Sequence, residues 1–392
     1  MDKGTIIYVG NFELPDKNAA AHRVVNNARI FSALGFRVVL FGVARGDAFS
    51  GARKVHDSEL KDQGDPSLAV RDDKADVDLW ERAYPVSTAD WVRQLFDVSD
   101  VETLAQAYDD LKLVIAYNLP FATFKALKKR FLRRGVDTAY DCTEWNGYAE
   151  GSLPKRLYKK HDEKLLRTKL GKQCRDLIVI SSAMERQYAG ANLLRLPPLV
   201  DIEDPIWSQV RQPHDGVFEF CFAGTVSNKE RLDRVVEAFC ALDAADVRLR
   251  VVGLSRSDFE AAYPDCVSSG DKRIAFEGYL SHSDAVRRVL SCDCYVFIRE
   301  TTSRNTAGFP TKFAEAFTCG VPIITTDVSD VAGYIAPDKG IVLRCASVDA
   351  IRAAMSSAIE AFRGRTPALN DTFDWRKHVD RTREWINKVT TY

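Results

Sequence analysis

Nowhere among the 392 residues is there a run of about 18 apolar residues, which excludes a helix that crosses a membrane. The first residues, Met-Asp-Lys-Gly and then a strand-like run, lack the apolar core of a secretion signal, so the chain is expected in the cytoplasm. Net charge is missing too: Lys+Arg and Asp+Glu number 55 each, so no whole-molecule attraction to nucleic acid is expected and any basic surface must be local. The nine cysteines are scattered, and Cys292 and Cys294, one residue apart, match no zinc or redox spacing. The six histidines are too dispersed for a metal cluster. A Gly-x-Gly-x-x-Gly fingerprint is absent, so no dinucleotide cofactor, and no cofactor of any kind, is expected. The single Asp-x-Asp, Asp76-Val-Asp78, closes a polar segment rather than a strand, so no metal site is expected either.

The chain is too long for one ordinary core, and roughly 200 residues in each of two domains is the expectation. Thr5 to Gly10 is a short apolar run ending in glycine, followed by a polar loop through Asn18 and a helix from about Ala19 to Leu34. Val24, Ala28, Phe31 and Leu34 share one helical face, Gly35 stops the helix, and Arg37 to Val43 is the next buried strand. This is a Rossmann-like opening. His22 and Arg23 fall at the helix start, beside the loop after Gly10, either as a solvated helix start or as part of a site. From Arg45 to about Asp78 the sequence is polar and aperiodic, which predicts an exposed insertion or a mobile loop, without chemistry.

Leu113 to Tyr117, Val136 to Asp141 and Leu177 to Ser182 read as further strands. Between the first two lies a basic amphipathic helix: Phe124, Leu127 and Phe131 repeat at helical spacing, while Lys125, Lys128, Lys129, Arg130, Arg133 and Arg134 crowd the remainder with no acid. It is either the solvated face of a sheet-covering helix or a surface for an anionic membrane, and more basic residues follow from Lys155 to Lys160. Tyr140-Asp-Cys-Thr-Glu-Trp145 ends its strand in two carboxylates, Asp141 and Glu144, where open α/β sheets bind ligands. Leu196-Pro-Pro-Leu-Val-Asp201 marks a stiff boundary.

The second half restarts the pattern. Phe218 to Ala223 is a strand, Gly224-Thr225-Val-Ser-Asn-Lys229 a glycine-led loop whose small residues allow a ligand close to the backbone, and Arg231 to Leu242 the following helix. Strands follow at Leu249 to Gly253, at Arg273 to Tyr279 and at Cys294 to Ile298, with Arg299 leaving the end of the last. Arg304 and Asn305 then lead into Gly308-Phe309-Pro310-Thr311-Lys312-Phe-Ala-Glu315-Ala-Phe-Thr-Cys-Gly320-Val-Pro, the most informative stretch in the chain. It reads as turn, short helix, turn, with Pro310 suited to the first helical position and Gly320 to the left-handed stop. Lys312 places a cation near the positive end of the helix dipole, which predicts either an anion bound there or a solvated surface lysine.

This stretch resembles the signature of the retaining glycosyltransferases of family 4, in the variant where Pro-Thr-Lys precedes the glutamate helix. The resemblance implies a GT-B arrangement: an α/β protein of two Rossmann-like domains with a cleft between them. It further implies an acceptor domain over residues 1–200, a nucleotide-sugar domain over 201–372, and a helix over 373–392 that crosses back to the first. Glu315 takes the place of the glutamate that bonds the ribose of the donor. The loop from Gly224 and Thr225 to Lys229 holds the diphosphate, Tyr279 lies where the base is clamped, and Arg299, Arg304, Asn305 and Gly308 to Thr311 line the donor site. Lys229, Lys312 and Glu315 are the expected catalytic group, and Gly10, His22, Arg23, Asp141 and Glu144 the acceptor side. The glutamate that normally touches the donor sugar is replaced by Ala307.

The implied activity is metal-independent, retaining transfer from a UDP- or GDP-linked sugar to a glycan or lipid-linked glycan. Its implied setting is exopolysaccharide or cell-envelope synthesis at the inner face of the membrane. A nucleotide-sugar epimerase and a non-catalytic nucleotide-sugar-binding partner of another transferase are the alternatives that Ala307 leaves open.

Overall fold

β1 (Thr5–Gly10) is buried from end to end, with β2 (Arg37–Ala44) paired parallel along one edge and β5 (Leu111–Tyr117) along the other. A strand covered in this way needs no polar alternation, which is why Thr-Ile-Ile-Tyr-Val-Gly reads as a continuous run. The computed structural model describes residues 3–14, 18–45, 52–55, 77–145, 152–208, 216–225, 229–266 and 271–390. The chain forms two compact units, Met1–Asp201 with Asp374–Tyr392, and Ile202–Phe373.

The first unit adds β3 (Ala52–Lys54), β4 (Val77–Ala83), β6 (Asp137–Cys142), β7 (Asp176–Val179) and β8 (Asn192–Arg195), in the spatial order β3-β4-β2-β1-β5-β6-β7-β8. Every pairing is parallel except β3 with β4. β3 corrects the expectation of an unstructured insertion. It has no apolar alternation to read, and cross-strand charge holds it at the edge: Arg53 pairs with Glu81, and Lys54 with Asp78 at 2.5 Å. Val77 and Asp78, at the end of that stretch, open β4, so the Asp-x-Asp runs into a strand rather than closing a polar segment; residues 46–51 and 56–76, Asp76 among them, lie outside the described residues.

The helix Ala19–Ala33 begins where Asn18 Oδ1 accepts the amide of Ala21, and buries Val24, Ala28 and Phe31. In the basic helix Phe121–Leu132 the repeating apolar residues Phe124, Leu127 and Phe131 are all buried, Phe124 edge-on against Tyr140 at 5.2 Å. That helix covers the sheet and leaves its basic side chains Lys125, Lys129 and Arg130 exposed.

The last segment completes the first unit's core. Asp374 bridges to Val200, Arg376 holds Asp201 at 2.7 Å, and the helix Val379–Val389 buries Trp385 against Phe31. The Trp385 indole N–H donates to the Asn192 carbonyl at 3.0 Å, so both the apolar body and the polar tip are satisfied.

The second unit carries β9 (Phe218–Ala223), β10 (Val247–Val252), β11 (Ile274–Gly278), β12 (Cys294–Phe297), β13 (Ile323–Thr326) and β14 (Gly340–Leu343) in the order β11-β10-β9-β12-β13-β14, all parallel. In both units the strand order reverses beside the first strand, between β1 and β5 and between β9 and β12. Such switch points open a crevice at the carboxyl ends of the strands.

Because Trp385 is a core residue of a discontinuous unit, Trp385→Ala should destabilise the protein by about 3–5 kcal/mol. The measurement is the urea midpoint followed by a probe in the first unit; an unchanged midpoint would mean the last helix is only an appendage.

Candidate functional site

At the second switch point the backbone itself comes first. Gly224 follows β9 and Gly253 follows β10, where φ is +105° and an added Cβ would lie 2.3 Å from the Gly224 carbonyl oxygen. Only glycine fits there. The Gly224 amide donates to Val252 O at 2.8 Å and the Gly253 amide to Gly278 O at 2.8 Å, so the three strand ends are tied together. Thr225 is exposed beyond them, residues 226–228 of the loop lie outside the described residues, and Lys229 is half-buried on the far side.

A Cβ at Gly224 would sit 2.6 Å from Lys312 Nζ, so the missing side chain is the space that the ammonium uses. Lys312 is in the first turn of the helix Thr311–Thr318. Pro310 is its N-cap rather than its first residue, and the helix spans eight residues, little more than two turns. No acid stands in that first turn and the proline offers no side-chain oxygen to it. Gly320, with φ +70°, ends the helix as expected. Burial pushes the Lys312 pKa down; the neighbouring Arg299 and Lys229 push the same way, and Glu230 and Glu315 oppose them. Lys229, Arg299 and Glu315, far apart in sequence, thus all act on Lys312.

Glu315 lies one turn after Lys312, and its Oε1 is 3.3 Å from His282 Nε2. His282 went unnoticed in the sequence. The signal was there: Ser281 caps the helix His282–Ser291 directly after Gly278 and Tyr279, the end of β11. Tyr279 is 84% exposed, an aromatic ring standing free at that strand end. Arg299, at the end of β12, donates from Nε to Glu230 Oε1 at 3.2 Å and bonds the same oxygen through Nη2.

Other expected donor residues have side chains engaged within the unit. The Phe309 ring is buried in a cluster with Phe313, Tyr334 and Phe373, at 5.9, 5.9 and 5.8 Å, which holds the lysine helix in place. Pro310 is buried beside it, while Gly308 and Thr311 are half-buried around the same helix start. Asn305 is committed as well, its Nδ2 donating to Glu300 O at 2.8 Å, whereas Arg304 on the same short helix is exposed. Ala307 is wholly buried.

The first switch point is arranged differently. Gly10 ends β1 beside Tyr117 at the end of β5, and a Cβ there would meet Tyr117 Cβ at 2.9 Å. His22 is half-buried at the helix start. Arg23 and Asp141, expected on the acceptor side, are 4% and 0% exposed and face each other. Arg23 Nε and Nη2 reach the two carboxylate oxygens at 3.0 and 2.9 Å, and Nη1 donates to Leu196 O at 2.9 Å. Tyr8 O–H and Asn27 also donate to Asp141. Burial pushes the Tyr8 pKa well up, so the phenol remains a donor. A carboxylate enclosed in this way orients no acceptor hydroxyl; it closes the core. Glu144, half-buried, is the acidic side chain of that strand end with access to solvent. Its segment is fixed by Asn118, in the left-handed region at φ 45°, whose Oδ1 accepts the Thr143 amide at 3.0 Å. Among the described residues no group of three or more His, Cys, Asp or Glu is gathered that could hold a metal ion.

Residues 204–363, within the second unit, match the family described as glycosyl transferases group 1. Among curated proteins no sequence matches. Solved structures resemble the whole chain. A glycosyltransferase from Rickettsia africae is 12% identical with a TM-score of 0.66, covering 100% of both chains. Sucrose-phosphate synthase from Thermosynechococcus elongatus is 13% identical with a TM-score of 0.65, covering 98% of each. HepE of Anabaena, in complex with UDP and glucose, is 12% identical with a TM-score of 0.64, covering 98% of this chain and 100% of that one. At such identities the likeness is one of fold, and the fold is GT-B.

If Asp141 is the buried partner of Arg23, then Asp141→Ala should cost about 3–5 kcal/mol of stability, since it leaves an enclosed cation without its carboxylate. Thermal unfolding measures this; a normal melting temperature with impaired activity would return Asp141 to the acceptor side.

Proposed function

We propose that this chain is a retaining, metal-independent glycosyltransferase that moves a sugar from a UDP- or GDP-linked donor to a glycan or lipid-linked glycan acceptor, in exopolysaccharide or cell-envelope synthesis. The observation that carries the reading is the Lys312 ammonium lodged in the space left by Gly224, at the switch point between β9 and β12. Lys229, Arg299 and the open first turn of the Thr311–Thr318 helix add positive potential at the same place. A diphosphate fits such a field, and Glu315, one turn on, is within reach of the ribose hydroxyls of a nucleotide so placed. Tyr279 offers a face for the base.

Charge on the departing diphosphate grows as the sugar–phosphate bond breaks, so fixed cations bind the transition state better than the ground state. Lys312 is the residue best placed to do this. The acceptor hydroxyl attacks on the face from which the diphosphate leaves, which retains the configuration without a protein nucleophile. Glu144 is the acidic side chain that remains for the acceptor side of the reaction.

The first test concerns Lys312. Burial disfavours its charged form, so with no anion bound the lysine weakens the fold, and Lys312→Met should raise the melting temperature of the empty protein. The sign follows from proton counting. A lowered folded pKa means that the unfolded chain binds more protons between that pKa and the ordinary 10.5, so wild-type stability rises with pH across this window relative to the variant. UDP or GDP should raise the melting temperature of wild type and not of Lys312→Met. In excess EDTA, the variant's kcat with the matching nucleotide sugar should fall on the order of 10²-fold or more. A variant with normal turnover would move the phosphate site elsewhere.

The second test concerns the membrane. No described helix is long and apolar enough to cross one, but Lys125, Lys129, Arg130, Arg133 and Arg134 are exposed on one helix, with Leu132 beside them. Basic residues at an anionic surface are worth about 1 kcal/mol each. Anionic vesicles should therefore sediment the protein, less so as salt rises, and neutral vesicles should not; equal sedimentation with both would make this an ordinary solvated face.

A further inference from the structure

We propose that Glu230 is a built-in counter-anion of the diphosphate site: it holds Arg299 while the site is empty and yields it to the incoming phosphate oxygens. This rests on the donor-site reading of the same pocket. Glu230 is 5% exposed, and its Oε1 alone takes both Nε and Nη2 of Arg299. The main chain fixes the pair from both sides. Glu230 and Arg299 form an antiparallel bridge, the Arg231 amide donates to Ile298 O at 2.9 Å, and the Arg299 amide donates to Thr326 Oγ1 at 3.0 Å. The guanidinium stands over the Phe297 ring, 4.7 Å from its centre. Among the described residues no hydrogen bond engages Arg299 Nη1, and the free edge of a planar fork is suited to a phosphate oxygen.

The charges say why a carboxylate belongs there. Arg299 and Lys229 are like charges acting on the half-buried Lys312, and of the carboxylates that act on Lys312, Glu230 is the stronger and Glu315 the weaker. Glu315 faces His282, and Glu300, the residue after Arg299, turns away to Arg231 and Arg234, the latter at 3.0 Å. Glu230 thus balances the empty pocket. Once a diphosphate arrives, the same carboxylate becomes a like charge beside it. It weakens ground-state binding and favours release of the nucleoside diphosphate after transfer.

The experiment is calorimetric titration of inorganic pyrophosphate into wild type, Glu230→Gln, Arg299→Gln and the double variant. Glutamine keeps the shape and the hydrogen-bond acceptor but removes the charge. Glu230→Gln should bind pyrophosphate about tenfold tighter than wild type, the order expected for one unit charge removed beside an anion. It should also melt at a lower temperature when empty. Unchanged or weaker binding overturns the proposal, because a carboxylate that merely orients Arg299 would lose affinity on replacement.

If Glu230→Gln does not fold, the Arg299→Gln background carries the test. There the carboxylate no longer holds a guanidinium but keeps its charge, so the double variant should bind tighter than Arg299→Gln alone, and equal affinity overturns the proposal. A wild type that binds no pyrophosphate overturns the donor-site reading itself.

Discussion

Two glycines set the spacing on which the second unit's chemistry depends. At Gly253 a side chain would enter the carbonyl of Gly224, and at Gly224 it would enter the ammonium of Lys312. The ends of β9 and β10 are therefore closer than chains with side chains could come, and a lysine from the helix before β13 reaches over them. Every other feature of the site is arranged around that approach: the aromatic cluster of Phe309, Phe313, Tyr334 and Phe373 locks the lysine helix, and the bridge from Glu230 to Arg299 brings a second cation to the same spot. The constraint is steric, but its product is electrostatic, because a half-buried cluster of cations exists only where the backbone forces them together.

The two switch points share a topology and differ in what fills them. In the second unit Lys312 and Glu315, beside the strand ends, keep partial access to solvent. In the first, the charged pair Arg23 and Asp141 is turned inward with Tyr8 and Asn27. A buried pair of this kind is not by itself a large source of stability, since desolvation offsets much of the attraction. What it does is fix one arrangement of β1, β6 and the first helix, and leave the exposed positions near β6 to other side chains.

Much of this was legible in the sequence because the signals were local. Parallel strands buried on both faces leave continuous apolar runs, and the stretch from Gly308 to Gly320 carries its own start and stop. Helix boundaries and the Lys312 position followed from such signals. Direction was not legible. Asp141 and Glu144 both stand at or beyond a strand end, and nothing in Tyr-Asp-Cys-Thr-Glu-Trp shows that the first faces a buried arginine 118 positions earlier while the second is only half-buried. The side-chain partners of Phe309 and Asn305 were hidden for the same reason, being distant in sequence or main-chain atoms. β3 was missed because its pairing depends on charges across the strands rather than on a pattern within it.

The discontinuity of the first unit bears on how the protein is made. Trp385, Ile386 and Val389 belong to the same apolar cluster as Ile6, Phe31 and Ile115, yet the second unit lies between them in the chain. On the ribosome, the second unit has every strand of its sheet in hand before the last helix emerges, whereas the first must wait, its apolar face uncovered, through the whole synthesis of its neighbour. The earliest-made half is thus the last to be completed. For as long as that face stays open, it is the part of the nascent chain most in need of shelter by chaperones.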